Sequence, residues 1–181
     1  MRREYTHNRA INNLKIRPES DRDYEEIAKV NDLAFDRDNE SKLIKSIRNS
    51  DRFIPELSLV AELDNKIVGH IMFSYIDLAY EQTVKVLALA PIAVLPKYQH
   101  QGIGSLLVKT GLEKAKRMQA PMVVVLGEPE FYHRFEFKPA SKYSIDSPFD
   151  IPDEYFMVKF LTDEDRNYSG KIKYPAAFSE V

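Results

Sequence analysis

A short glycine-containing stretch near the middle of the chain has the residue types to bind an anion. It runs from Gln99 to Ser105 (Gln-His-Gln-Gly-Ile-Gly-Ser), after an apolar run from Val84 to Leu95 and before a helical pattern. The first amides of a helix lack internal partners and lie at the positive end of its dipole, so such a loop can hold a phosphate. Gly102 and Gly104 permit a sharp turn and a close approach to the backbone. An ordinary loop with two turn glycines is the alternative interpretation.

The elements around this loop are predicted from apolar patterning. A strand is expected from Gln82 to Leu95, with a bulge at Pro91 because proline cannot donate a ladder hydrogen bond. The unbroken apolar run from Met122 to Leu126 is typical of a strand covered on both faces. Between them, spacings of three and four predict one helical face, formed by Ile103, Leu106, Leu107, Gly111, Ala115 and Met118. The loop should therefore join a central strand to a helix.

The rest of the chain predicts helices and strands around this centre. Helices are expected from about Tyr24, capped by Ser20 or Asp21, from Glu40 to Arg48 and from Glu130 to Phe135. Strands are expected at Leu14 to Arg17, stopped by Pro18, and from Phe137, with a hairpin formed by Leu57 to Leu63 and Ile67 to Ile76. We expect a flexible N-terminal arm over residues 1–13 and a single domain over 14–181.

Two common phosphate-binding motifs are incomplete in this sequence. A G-x-G-x-x-G fingerprint would need glycine at Leu107, and G-x-x-x-x-G-K-[ST] does not occur. Gln99, Gly102 and Gly104 fit Gln/Arg-x-x-Gly-x-Gly/Ala instead, which resembles the signature loop of the GNAT superfamily of N-acyltransferases. The segments Leu126 to Ala140 and Tyr174 to Phe178 resemble one branch of predicted N-acetyltransferases within it. The resemblance covers nearly the whole chain from Leu14.

This resemblance implies a fold and a co-substrate. The fold would be α/β (α+β), with a central mixed, mostly antiparallel twisted sheet flanked by helices. The co-substrate would be acetyl-CoA, with its pantetheine bound by the backbone of Ile92, Ala93 and Val94 and its acetyl carbonyl polarised by the Val94 N–H. The pyrophosphate would be held by the loop residues Gln99, Gln101, Gly102, Ile103, Gly104 and Ser105.

The resemblance also implies catalytic roles. Tyr132 matches a tyrosine that acts as general acid in the superfamily, although it could be a packing aromatic. Glu128 could deprotonate an amine directly or through water, or be a solvated charge at a strand end. Asp77, Tyr80 and Glu81 could line an acceptor pocket, but a solvated loop accounts for them more simply.

Two departures from the family pattern concern the catalytic segment. Glu136 stands where the branch has a glycine, which would cost roughly 1–2 kcal/mol if the backbone there needs a positive φ. Gly127 and Glu128 replace an asparagine that often holds the pantetheine. Both departures bear on the placement of Tyr132 and the cofactor.

Composition excludes several other classes of function. The 181 residues carry a net charge of −2, so no overall basic field favours nucleic acid or an anionic membrane. The absence of cysteine excludes disulfides, a thiol nucleophile and cysteine metal sites, and the four histidines lack metal-ligand spacing, so no metal is expected. No readable signal peptide or membrane span is present, which predicts a cytoplasmic protein.

These observations predict an N-acetyltransferase that moves acetyl from acetyl-CoA to a primary amine, on a small molecule or a peptide, by direct attack in a ternary complex. The alternative is a GNAT-shaped module that senses acyl-CoA without turnover. A nucleotide-binding regulator is less favoured, because neither phosphate fingerprint is complete. A homodimer is compatible with the sequence.

Overall fold

The computed structural model describes residues 13–79, 81–162 and 168–179. Their strands are β1 (Lys15–Pro18), β2 (Phe53–Leu63), β3 (Lys66–Ala79), β4 (Thr83–Val94), β5 (Met122–Leu126), β6 (Lys138–Pro139), β7 (Ile145–Asp146), β8 (Phe156–Phe160) and β9 (Gly170–Lys173). Their α-helices are α1 (Tyr24–Phe35), α2 (Asn39–Arg48), α3 (Ile103–Arg117) and α4 (Pro129–Tyr132). The predicted N-terminal arm lies outside the described residues except for Asn13, whose side chain donates to Asp64 at 3.1 Å.

The strands form one mixed sheet in the order β1-β2-β3-β4-β5-β8-β6, and β9 lies beside β3 and β7. All neighbours are antiparallel except the pairs β4–β5 and β7–β9. The predicted hairpin is β2–β3, whose turn residues Asp64 and Asn65 adopt left-handed φ values of 49° and 62°. The predicted sheet type is therefore confirmed. No helix among the described residues is long and apolar enough to cross a membrane.

Helices cover the two faces of the sheet. Ile27 and Val30 of α1 and Ile44 and Ile47 of α2 pack with Met72 of β3 on one face. On the other face, buried residues of α3 pack against strands β2, β3 and β4. Gly111 lets α3 approach closely, because a Cβ there would lie 2.2 Å from the Phe73 ring. The core thus holds α3, and the loop before it, tightly against the central strands.

Two sequence predictions differ from the structure. Leu106 and Met118, predicted on the apolar face of α3, are 40% and 42% exposed, whereas Val108 and Leu112 are buried. The buried stripe therefore lies to one side of the predicted one. The strand predicted from Phe137 is limited to the two residues of β6, because only Lys138 and Pro139 pair with β8.

A buried polar network connects the segment before α1 to the sheet. The carboxylate of Glu19 accepts hydrogen bonds from Arg48 at 2.7 and 2.8 Å and from the Ser58 hydroxyl at 2.6 Å, and it lies 3.3 Å from His70 Nε2. Burial alone would raise the pKa of Glu19, but the hydrogen bonds with His70, Arg48 and Ser58 lower it to about 2. His70 is fully buried, and burial lowers its pKa. The network fixes the first helices on the sheet.

Candidate active site

An opening between β4 and β5 forms the centre of the candidate site. β4 stays paired with β3 as far as Val94, opposite Gly69, but it pairs with β5 only at Leu87 and Ala88. The two strands therefore diverge beyond Ala88. β4 carries one extra residue there. Leu89 lies opposite Phe73 and Ile92 lies opposite Ile71, so two residues of β4 face a single residue of β3. This β-bulge at Ala90–Pro91 confirms the bulge predicted from the proline.

The backbone direction in this part of β4 determines which amides face the opening. The Leu95 N–H donates to Val68 O at 2.9 Å, so it points toward the β3 side. Backbone groups alternate along a strand, so the Ala93 N–H also points toward β3, while those of Ile92 and Val94 point into the opening. Consistently, the Ala93 carbonyl oxygen lies 3.2 Å from the position a Cβ on Gly69 would take. The predicted cofactor contact through the Ala93 backbone therefore does not agree with its direction, because this residue is used in the β3–β4 ladder.

The loop after β4 is held by its two glutamine side chains. Gln99 Nε2 donates to Val94 O at 3.0 Å, and Gln101 Nε2 donates to Lys97 O at 3.1 Å. Gly102 has φ 86°, and no atom lies within 4 Å of a Cβ built there, so its conformation rather than its small size requires glycine. Both glutamines thus use their side chains to shape the loop, and the Gln99 N–H also donates to Pro96 O at 3.3 Å, so neither side chain is free for a ligand.

The N-terminus of α3 presents free amides beside the opening. The Leu106 N–H is the donor that reaches Gly102 O, at 3.0 Å, so the amides of Ile103, Gly104 and Ser105 come before the first intrahelical bond. A Cβ on Gly104 would lie 3.7 to 3.9 Å from the side chains of Phe131, Val94 and Ile92. This geometry can hold an anion next to the open edge of β4.

The end of β5 and helix α4 form the other wall of the opening. Leu126, the last residue of β5, is 45% exposed although it is apolar. Glu128 is the exposed N-cap residue of α4, and its carbonyl accepts from the amides of Phe131 and Tyr132 at 3.0 and 3.2 Å. The Glu128 carboxylate makes no hydrogen bond or ion pair with any other described residue. Glu128 is thus placed at the start of the helix that carries Tyr132.

Tyr132 is positioned by close packing of its ring. Its ring meets those of Phe131 and Phe137 edge-to-face, at centroid distances of 5.0 and 5.6 Å. A Cβ on Gly127 would lie 2.5 Å from Tyr132 Cε2, so glycine is needed for the ring to take this place. Only 6% of Tyr132 is exposed, and burial raises the pKa of its hydroxyl. The phenol therefore stays protonated at neutral pH and can donate a proton.

Glu136 adopts the left-handed conformation that the family glycine would suit. Its φ is 67°, and its carboxylate lies 2.5 Å from Lys159 Nζ, which lowers its pKa. The side chain is 81% exposed and directed toward β8, away from the packed face of Tyr132. This departure therefore costs local strain without entering the opening.

Other sequence candidates have different environments. Asp77 forms an ion pair with Arg52 at 2.9 Å, Glu81 is exposed, and Tyr80 lies outside the described residues. No group of three or more His, Asp or Glu residues that could hold a metal occurs in the described ranges. Sequence reasoning did not identify Leu126, Phe131 or the packing role of Gly127. The run of aromatic residues around Tyr132 was the available signal for Phe131.

Comparisons with known proteins agree with this geometry. The model of the Acetyltransferase (GNAT) family matches residues 24–137. The chain is 34% identical over 156 residues to YjhQ, an uncharacterized N-acetyltransferase of Escherichia coli K12, covering 83% of this chain and 86% of the relative. It is 32% identical over 148 residues to YhbS, another uncharacterized N-acetyltransferase of that strain, covering 81% and 87%.

Two solved structures share the fold over almost their full length. The crystal structure of Escherichia coli YhbS in complex with CoA has a TM-score of 0.85 and 28% identity, covering 92% of each chain. The crystal structure of a GNAT family acetyltransferase from Brucella melitensis in complex with acetyl-CoA has a TM-score of 0.75 and 29% identity, covering 91% of this chain and 97% of that one. The chain therefore belongs to the GNAT family of acetyltransferases.

Proposed function

We propose that this protein binds acetyl-CoA in the opening between β4 and β5 and transfers the acetyl group to a primary amine. The observation that carries the proposal is the pair of amides of Ile92 and Val94, which face the opening where β5 has diverged from β4. An extended pantetheine arm has amide groups that can pair with such an edge as a strand would. The bound CoA and acetyl-CoA in the two solved relatives support the choice of ligand.

The residues present fit this co-substrate. The free amides of Ile103, Gly104 and Ser105 at the start of α3 suit a pyrophosphate, and Gly104 leaves space beside Ile92 and Val94. The left-handed Gly102 is the N-cap residue of α3 and turns the chain into the helix immediately before these amides. One contiguous backbone surface thus offers donors to both the pantetheine and the pyrophosphate.

The open amides also supply the electrostatic part of catalysis. The Val94 N–H donates to the acetyl carbonyl oxygen, on which negative charge grows as the amine attacks. Its orientation is fixed beforehand, because the Ala93 carbonyl of the same planar peptide unit points toward β3 in the β3–β4 ladder. Oriented donors at a developing oxyanion are usually the largest single term in acyl transfer.

Two proton transfers complete the reaction. A lysine-like amine with a pKa of about 10.4 is almost fully protonated at pH 7, and freeing it costs about 4.6 kcal/mol. The Glu128 carboxylate, directly or through a water, takes that proton before the amine forms the new C–N bond. As the C–S bond breaks, the Tyr132 hydroxyl gives its proton to the departing sulfur, whose thiol pKa is near 8.5 by analogy with cysteine. The attacking nitrogen loses its second proton to water as the amide forms, Tyr132 regains a proton from solvent, and Glu128 releases its own, so the net products are the acetylated amine, CoA and one proton.

An assay of CoA release against a panel of amines tests this proposal. The panel should contain small amines, polyamines, amino acids and peptides with free amino termini, and the acetylated product should be identified by mass spectrometry. The expected result is amine-dependent release of CoA with an acetyl gain of equal amount. Tight binding of acetyl-CoA with no turnover on any amine would favour the non-catalytic acyl-CoA sensor instead.

A further inference from the structure

A second concave surface lies along α1, at the end of β4 rather than between β4 and β5. This groove has a volume of about 640 Å³ and is bounded by α1, the start of β3 and the segment from Leu95 to Tyr98. Its volume lies within the roughly 300–1,000 Å³ typical of small-molecule sites. Leu33 on its wall is 54% exposed, although large apolar side chains on a helix are normally buried. The groove is therefore an open, ligand-sized surface with an apolar wall.

The groove combines an apolar lining with lysines from three separate elements. Lys29 comes from α1, Lys66 from the start of β3 and Lys97 from the segment after β4. None of these lysines forms an ion pair with another residue in the described ranges, and the Lys97 ammonium lies 4.8 Å from the centre of the Tyr98 ring. The remaining lining is largely apolar, with Val30, Leu33, Ile67, Val68, Leu95 and Pro96.

The one acidic residue of the lining does not neutralise these lysines. The Glu26 carboxylate is turned toward the start of β3, where Oε2 accepts the Ile67 N–H at 3.0 Å. Glu26 keeps its charge but offsets only one of the three lysines, so the lining carries a formal charge of +2. Unpaired lysines beside apolar surface complement a ligand that has an anionic head and an apolar body.

We propose that this groove binds a small amphipathic carboxylate, with the aliphatic chain along Val30, Leu33 and Leu95 and the carboxylate between the lysines. This site is distinct from the opening between β4 and β5, and it does not depend on the proposed acetyl transfer. The groove does adjoin the proposed cofactor loop. The turn at Pro96 to Tyr98 lines the groove, and the Lys97 carbonyl in this turn accepts a hydrogen bond from Gln101 Nε2 of the loop. A ligand in the groove would therefore contact the turn to which that loop is hydrogen-bonded.

Titration with octanoate, followed by amide chemical shifts in two-dimensional NMR, tests the proposal. We expect saturable shifts at residues 29–33, 66–68 and 95–98, both in the free protein and with CoA bound. Octanamide has the same chain without the charge, and it should bind at least about tenfold more weakly, the effect of losing a charge-assisted hydrogen bond. Binding should also weaken as the salt concentration rises, because exposed charges are screened.

Two variants test the residues. The double variant Lys29→Gln and Lys97→Gln should weaken octanoate binding by about tenfold or more, whereas Lys45→Gln, on the exposed face of α2, is the matched control and should leave it unchanged. Displacement of octanoate by CoA would show that it occupies the opening between the strands and would overturn the proposal. Equal binding of octanoate and octanamide, unchanged binding by the double variant, or no saturable binding below the concentration at which octanoate aggregates would overturn it as well.

Discussion

Replacing Gly127 by alanine tests whether Tyr132 acts through the position of its hydroxyl. The new Cβ would lie 2.5 Å from Cε2, 3.2 Å from Cδ2 and 3.4 Å from Cζ of Tyr132. Carbon atoms in contact are about 3.5–4.0 Å apart, so the ring must move by about 1 Å. A displacement of that size in a catalytic group can lower kcat by about 10²-fold. Overpacking of this kind should also lower the free energy of unfolding by about 1–3 kcal/mol.

A double-mutant cycle with Tyr132→Phe separates the two effects. The phenylalanine keeps the packed ring and removes only the hydroxyl, so kcat should fall by about 10²–10⁴, at the lower end because thiolate is a tolerable leaving group. The affinity for acetyl-CoA should barely change, because the acid acts in the transition state. If Gly127→Ala works by moving that hydroxyl, it should not reduce kcat further in the Tyr132→Phe background.

Steady-state kinetics on the best amine, with urea unfolding of each variant, measure this cycle. Gly111→Ala is the matched control, because its Cβ would lie 2.2 Å from the Phe73 ring and so overpacks a different aromatic. It should lower stability and leave the kcat effect of Tyr132→Phe unchanged. Fully additive losses in kcat for Gly127→Ala and Tyr132→Phe, or a wild-type kcat in Tyr132→Phe, would refute the role of the hydroxyl.

Four further outcomes are expected. Acetyl-CoA at a hundredfold excess over its dissociation constant should stabilise the protein by about 2.7 kcal/mol, and NAD and ATP by much less; equal thermal shifts for all three would contradict the proposed site. Gly104→Val should abolish acetyl-CoA binding in calorimetry, whereas Gly104→Ala should still bind. A single Cβ stays 3.7 Å or more from Phe131, Val94 and Ile92, but further methyl groups would fill the space beside them. Normal binding by the valine variant would show that the loop is not part of the site. Burial raises the pKa of Tyr132, so activity should be lost as pH rises only above about pH 10, and this alkaline limb should disappear in Tyr132→Phe. Glu19→Gln should lower the free energy of unfolding by about 3–5 kcal/mol, because it leaves Arg48 without its carboxylate partner. Glu113→Gln, at an exposed position, should leave it almost unchanged.

The same glutamate gives a pH dependence of stability with a defined sign. The pKa of Glu19 is lowered from 4.5 to about 2 in the folded protein, so its contribution is present above pH 4.5 and is lost as pH falls toward 2. The difference corresponds to about 3 kcal/mol, since each pKa unit is about 1.4 kcal/mol. Urea unfolding between these pH values should show a loss about 3 kcal/mol larger in the wild type than in Glu19→Gln, because other carboxyls with lowered pKa values, such as Asp23, titrate in both.

Local features of the sequence predicted the strands and the helix around the loop from Gln99 to Ser105 well. The bounds of β5 agree with the prediction, and α3 ends one residue before the predicted Met118. These elements were predictable because apolar runs and helical spacing are patterns of residues close together in the sequence. The condition stated for Glu136 is also met, because its φ is 67°, a value that the glycine of the family pattern would suit. The bulge at Pro91 was predictable because proline itself imposes it.

Features that depend on distant partners could not be predicted in this way. β9 pairs with Asp77 to Ala79 of β3, almost a hundred residues earlier, and its four residues carry little pattern of their own. The network of Glu19, Ser58 and His70 joins residues from three separate segments. The family resemblance implies cofactor contacts from Ile92, Ala93 and Val94 together. Which of their amides point away from β3 depends on the β3–β4 register, and that register cannot be read from β4 alone.

In the proposed co-substrate site, Val94 connects the strand that would bind the pantetheine to the loop that would bind the pyrophosphate. Its N–H faces the opening, while its carbonyl, on the same side of the strand, is held by the side chain of Gln99 at 3.0 Å. Gln99 in turn starts the loop whose later amides, at Ile103 to Ser105, face a pyrophosphate. The Val94 N–H itself lies in the peptide unit that the β3–β4 ladder holds, so this donor is already oriented before a ligand binds. In the proposed complex, binding energy gained at the phosphates, remote from the reacting atoms, would hold the thioester against that donor.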